Sequence, residues 1–164
     1  MGRVSTPKHR KKTPNDIVMT KLSSAKFIID YFKPKGKILD SCRGDGAFYS
    51  QLNGDKDWCE ITQGKDFFNY TKKVDWIITN PPFSIFDKFL LKSFEVSENV
   101  VFFCPLIKAF KGIKLDKQIR LYGDIKEILH MGTGSQHGFP FGFSVGCIHY
   151  KKNYKGNIKY TRKY

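Results

Sequence analysis

The sequence predicts a doubly wound α/β sheet, and three observations carry that prediction. Short apolar runs recur at 37–42, 57–61, 74–79, 99–105, 124–131 and 143–151, with the length and residue content of buried strands. Helical patterns are interleaved with most of them, as a layered sheet requires. A glycine turn follows the first run and Asn80-Pro81-Pro82-Phe83 follows the third, both at the strand edge where open α/β sheets hold ligands.

The elements follow in order. Residues 14–32 read as a helix with Ile17, Leu22, Ala25, Ile28, Ile29 and Phe32 on or near one face. Thr13-Pro14-Asn15-Asp16 reads as its cap, with proline at the first helical position and an acid closing the box. Lys33-Pro34-Lys35-Gly36 ends it. The strand Lys37–Cys42 runs into Arg43-Gly44-Asp45-Gly46-Ala47-Phe48, a Gly-x-Gly turn followed by a helix over about 46–52. The dinucleotide pattern wants a third glycine at Tyr49, which counts against a nicotinamide cofactor. Arg43 and Gly44 break the ligand spacing of a calcium loop. Ser84 to Glu98 is an amphipathic helix carrying Ile85, Phe89, Leu90 and Phe94, residues 115–121 form a short helix, and Phe143–Lys151 is the last strand.

Composition bounds the function. The 164 residues suffice for one domain with a real core. No apolar stretch reaches membrane-spanning length, and the basic amino terminus has no signal-peptide core behind it, so a cytoplasmic location is expected. Cys42, Cys59, Cys104 and Cys147 stand singly, as in a reduced protein, and His130 and His137 have no cysteine beside them, so no metal site is expected. The formal net charge of +14 points to a polyanionic partner. Residues 1–12 and 153–164 read as basic tails flanking a domain at 13–152. Lys151 and Lys152 open a run that continues with Lys155, Lys159, Arg162 and Lys163, interleaved with Tyr150, Tyr154, Tyr160 and Tyr164. Such a run suits phosphate contacts and base stacking, and equally a solvated end.

The tetrapeptide at 80–83 has a definite chemistry. The exocyclic nitrogen of adenine is a poor nucleophile because its lone pair is conjugated with the ring. The carbonyls of the Asn80 side chain and the Pro81 backbone each suit one of its N–H bonds, which favours a pyramidal nitrogen with an available lone pair. Phe83 suits stacking on the base, worth roughly 1–3 kcal/mol. Pro81 and Pro82 fix φ and stiffen the loop. An ordinary strand-ending turn is the competing reading.

Together these segments resemble the S-adenosylmethionine-dependent amino-methyltransferases of nucleic acids, in the Asn-Pro-Pro-Phe form typical of adenine enzymes. Asp40-Ser41-Cys42-Arg43-Gly44-Asp45-Gly46-Ala47-Phe48 looks like their cofactor motif. The resemblance spans roughly residues 13–152 and implies a Rossmann-like class I methyltransferase fold, mostly parallel with an antiparallel last strand. It implies that Gly44 and Gly46 pass under the methionine part of S-adenosyl-L-methionine, with Cys42 in the same motif, and that Asp40 helps hold the amino group. It implies that Glu60 accepts the ribose hydroxyls, although Asp57 competes for that role. Gly64-Lys65-Asp66-Phe67-Phe68 resembles the next motif, in which Asp66 meets the cofactor adenine and Phe67 borders it. Thr13 resembles the residue that precedes the first strand, beside its capping role. Glu60 and Asp66 each also read as solvated residues at a strand end.

Residues 132–143 combine glycines with aromatics. Phe139 and Phe141 are expected either to hold the target base or to cover the core. Enzymes of this kind that read a DNA sequence carry an added recognition domain, and the motifs here leave no room for one. A DNA adenine methyltransferase of low or short specificity, of the size expected from a virus or phage, is therefore the expected function, with specificity minimal, read by short loops, or supplied by a protein partner. The competing readings are an RNA adenosine methyltransferase, including one acting near a messenger cap, a protein glutamine methyltransferase, and an inactive nucleic-acid-binding module.

Overall fold

The computed structural model describes residues 18–164. Seven strands form one sheet: β1 (Ile38–Asp40), β2 (Lys56–Trp58), β3 (Val74–Thr79), β4 (Ser97–Pro105), β5 (Gly123–Thr133), β6 (Ser144–Lys152) and β7 (Lys159–Arg162). Three helices join them: α1 (Leu22–Phe32), α2 (Phe86–Val96) and α3 (Ile113–Tyr122). The spatial order is β2-β1-β3-β4-β6-β5-β7. Strands β2, β1, β3 and β4 are parallel, β6 runs antiparallel to both β4 and β5, and β7 is parallel to β5. The antiparallel strand is β6, the strand expected over Phe143–Lys151; it is inserted between β4 and β5, and a further strand, β7, follows it in the chain.

Alternation along the central strands builds two cores. Val100, Phe102 and Cys104 of β4 point to one face with Ile77, where α2 contributes Phe86, Phe89 and Leu90 and α3 contributes Leu115 and Ile119. Val101 and Phe103 point to the other face with Ile78, and there Ala25 and Ile28 of α1 close the layer. Burying a side chain as completely as Phe102 contributes roughly 1.5–3 kcal/mol.

Three local expectations change. The first helix begins at Leu22: Lys21 is extended, and Val18 and Thr20 before it, the latter buried, are held by the Asn80 amide. Over 46–52 only one 3₁₀ turn forms, Tyr49–Gln51, before Leu52 extends. The segment 153–164 is not a plain tail. Its β7 pairs with β5 from Glu127 to His130, and Lys159 and Thr161 both reach buried Glu127. Tyr31 donates a third hydrogen bond to the same carboxylate. Burial alone would raise the Glu127 pKa, but these donors and the Lys159 charge bring it below its ordinary value.

Candidate active site

Strands β1 and β3 are neighbours, yet β1 leads outward to β2 on one side and β3 to β4 on the other. The crevice at their carboxyl ends is the switch point of the sheet. A cavity of about 470 Å³ lies there, walled by residues 18–20, the turn after β1, residues 60–68, and the loop after β3 through Phe89.

The glycine turn forms one wall. Gly44 and Gly46 have φ of 54° and 93°, the left-handed region that a side chain strains. Gly44 faces the cavity, whereas Gly46 lies buried behind it and closes the turn by donating to the Arg43 carbonyl at 2.8 Å. Cys42 is at the wall. Asp40 is not. It is 0% exposed, and its carboxylate accepts the Thr79 hydroxyl at 2.7 Å and the Tyr49 N–H at 3.2 Å. Burial raises its pKa to about 7 against the opposing effect of those donors. Asp40 therefore shapes the turn from behind and does not reach into the cavity as the motif implied.

Glu60 and Asp66 do line the cavity. Glu60 Oε2 accepts the Gly44 N–H at 2.8 Å, and Oε1 accepts the Thr62 hydroxyl at 2.8 Å and its N–H at 3.1 Å. Burial would raise the Glu60 pKa, but these bonds outweigh it and the carboxyl stays below its ordinary value. Asp57 faces elsewhere, accepting from the Trp58 N–H and Tyr70 hydroxyl at 2.9 and 3.2 Å, which separates it from Glu60. Asp66 caps the next 3₁₀ turn through the Phe68 N–H at 2.9 Å. Phe67 is at the wall and packs on Phe89, with ring centroids 4.7 Å apart.

Asn80, Pro81 and Pro82 form the facing wall. The Asn80 amide nitrogen donates to the Val18 carbonyl at 2.9 Å and the Thr20 hydroxyl at 3.1 Å. Among the described residues, its Oδ1 is buried with no hydrogen-bond partner. Ser41 Oγ and Arg43 Nε, on residues of the same cavity, are likewise buried and unpartnered. Buried polar atoms are normally paired, so three such atoms around one cavity mark a binding site.

Phe83 turns away from this wall. Its ring stacks on Phe139 at 5.9 Å and 18° and meets Phe141 at 6.4 Å. Phe139 is 3% exposed and packs on Phe103, so of its two expected roles it takes core covering. Phe141 is half-buried beside it. Lys151 and Lys152 lie far from the site. Because β6 runs antiparallel, they pair with Asn99 and Gly123 at the amino-terminal edge of the parallel strands. Their expected substrate contact, to phosphates, would therefore be made at that edge and not at the cavity. Thr13 lies outside the described residues.

Solved structures share this architecture. A protein of Pyrococcus horikoshii provisionally assigned as an RNA methyltransferase is 18% identical, with 83% of each chain covered and a TM-score of 0.58. One of Listeria monocytogenes, provisionally assigned as a class I S-adenosylmethionine-dependent methyltransferase, is 14% identical over 94% of this chain and 68% of its own, at 0.64. The fold is that of the class I methyltransferases. The methyltransferase subunit of a type I restriction-modification system from Streptococcus thermophilus is 13% identical over 86% of this chain, at a TM-score of 0.58. This chain spans 45% of that subunit's length. No family model and no curated protein sequence matches the chain.

Ser41, Arg43, Val18 and Thr20 went unread in the sequence. Ser41 and Arg43 sit inside the glycine motif, and a lone cation in that turn was the available signal. No local signal marks Val18 and Thr20, which meet Asn80 across about sixty positions of chain.

Proposed function

We propose that this chain is an S-adenosylmethionine-dependent methyltransferase acting on the 6-amino group of adenine in DNA, with short or low sequence specificity. The observation that carries the reading is the Asn80 amide: its nitrogen is anchored twice, leaving a buried, unpartnered oxygen on a residue of the cavity wall. The cavity volume of about 470 Å³ suits a cofactor of this size. Ser41 and Arg43 offer donors for the carboxylate of its methionine part. Glu60 retains acceptor capacity for one ribose hydroxyl, since a carboxylate has about four lone-pair positions and three are used here. Asp66 and Phe67 suit the adenine ring.

When bound, the cofactor supplies an electrophilic methyl group. Asn80 Oδ1 and the Pro81 carbonyl accept the two N–H bonds of the target amine and hold its nitrogen pyramidal. Because the amide is already oriented by Val18 and Thr20, little reorganisation is needed as charge develops on that nitrogen. The target base must be single-stranded or flipped out of a duplex to reach this wall. RNA adenosine is the second reading, favoured by the architecture shared with the Pyrococcus protein over 83% of both chains. The likeness to subunits of type I restriction-modification systems supports a protein partner that supplies sequence specificity.

Labelled methyl transfer to single- and double-stranded DNA and RNA, followed by nucleoside analysis, tests the reading. 6-Methyladenine is expected. Asn80→Ala should lower turnover more than tenfold, over about 1.4 kcal/mol of barrier, while S-adenosylhomocysteine still raises the melting temperature. A wild-type protein with no melting shift at millimolar ligand and no transfer to any of the four substrates refutes it.

A further inference from the structure

The segment after β4 carries a pattern that the fold does not use. Ile107-Lys108, Phe110-Lys111 and Ile113-Lys114 repeat an apolar–lysine pair every three residues. Residues Leu106–Phe110 form a 3₁₀ turn, whose three-residue period places Ile107 and Phe110 one above the other. Gly112, with φ of 113°, then turns the chain into α3, which Ile113 opens. All three apolar side chains are out of the core: Ile107 is 69%, Phe110 68% and Ile113 76% exposed. Scattered exposed residues need no explanation, but three within seven residues of one segment do.

Its charge and place identify the occupant. Residues 106–120 contain five basic side chains and one acid, Asp116, which is paired with Arg120 at 2.9 Å. The neighbouring acid, Asp87 of α2, is paired with Lys111 at 2.9 Å. The surface is therefore cationic with its acids neutralised. It is tied to the candidate catalytic loop, since Lys108 Nζ donates to the Phe83 carbonyl at 3.0 Å. Apolar side chains backed by lysines are what nucleic-acid binders insert between base steps while cations hold the phosphates.

We propose that Ile107, Phe110 and Ile113 form a wedge that enters the base stack of a nucleic acid, next to the nucleotide presented to Asn80. The wedge rests on the methyltransferase reading for the identity of the reaction, but binding alone tests it. Phe110 displaces a neighbouring base and stacks on it, while Lys114 and Lys117 hold flanking phosphates.

The test is anisotropy of a fluorescein-labelled oligodeoxyadenylate, single-stranded and paired with its complement, titrated with wild-type and variant proteins over a range of salt. Phe110→Ala should weaken binding about tenfold, in the range of one lost stacking contact, with the salt slope unchanged because no charge is removed. Lys114→Gln with Lys117→Gln should flatten the slope by about 0.7–0.9 per contact. Phe110→Trp should restore affinity, which excludes a folding defect as the cause of the loss. Unchanged affinity in Phe110→Ala, the result expected of a surface for a protein partner, overturns the proposal, as does a wild-type protein that binds neither oligonucleotide. Failure of the methyltransferase reading would show instead as no melting shift with S-adenosylhomocysteine, and leaves these titrations unaltered.

Discussion

Thr79→Val is the sharpest structural test of the site. The Thr79 side chain is fully buried at the end of β3. Its hydroxyl donates to Asp40 Oδ1 at 2.7 Å and accepts the Cys42 N–H at 3.2 Å, which bridges the glycine turn to the strand that carries Asn80. Valine keeps the shape and removes both contacts. A hydrogen bond to a buried carboxyl contributes about 1.5–3 kcal/mol. At roughly 2–4 °C per kcal/mol for a chain of this size, the melting temperature should fall by about 3–12 °C. Thr79→Ser keeps both bonds and loses one methyl group, about 1 kcal/mol. The loss should also depend on pH. The Thr79 donor favours the ionised carboxylate, so without it Asp40 takes up its proton at higher pH than its present value of about 7. The deficit of the valine variant is then larger at pH 8 than at pH 6. Differential scanning fluorimetry at both pH values measures this. A valine variant melting within about 1 °C of wild type, or no lower than the serine variant, would refute the bridge.

Two buried groups contribute opposing slopes to the pH dependence of the fold. Burial lowers His149 to about 3, so between pH 6.5 and 3 only the unfolded chain takes up its proton and stability falls as pH falls. Burial raises Asp40 to about 7, so between pH 7 and 3.8 only the folded chain takes up that proton and stability rises as pH falls. The two slopes oppose each other. His149→Phe, which keeps the packing on Trp76 and Phe32, should therefore gain on wild type by about 1.4 kcal/mol, or 3–6 °C in melting temperature, per pH unit below 6.5. Parallel melting profiles would refute it. Deleting residues 153–164 should lower the melting temperature by at least about 3 °C, because the Thr161 bond to Glu127 alone contributes roughly 1.5–3 kcal/mol. If calorimetry shows no change, β7 is not part of the folded sheet.

What was legible in the sequence was local. β3 reads correctly at both ends because Val74–Thr79 is a largely apolar run, broken only by Asp75 and Thr79, and is stopped by Asn-Pro; a proline pair cannot extend a strand. The glycine turn reads correctly because it needs left-handed backbone at two positions. β7 was invisible for the opposite reason. Lys159–Arg162 has no apolar face, and its strand form depends on hydrogen bonds to β5 and on Glu127, about thirty residues away. The same limit explains the start of α1. Helical spacing runs on upstream of Leu22, but the Val18 carbonyl and Thr20 hydroxyl accept from the Asn80 amide, and tertiary contact overrides propensity.

Strand direction then decides which of the basic residues near the carboxyl terminus can serve the site. β6 carries Lys151 and Lys152 away from the switch point, and Lys155 is tied down there by the carbonyls of Arg120 and Gly123. β7 runs back parallel to β5, so Arg162 returns beside His130, and Lys163 and Tyr164 border the pocket formed with Ser23 and His137. A composition count treats these residues as one cluster. The sheet divides them into two groups at opposite edges, and only the second shares the ligand-binding edge with Asn80. Phe83 makes the same point at the scale of one side chain. The motif supplies an aromatic ring, but the fold packs it on Phe139 and Phe141, so it joins the catalytic loop to the 132–143 segment. That packing makes Phe83 a brace for the loop holding Asn80, and leaves Asn80, Pro81 and Pro82 as the part of that loop that lines the cavity.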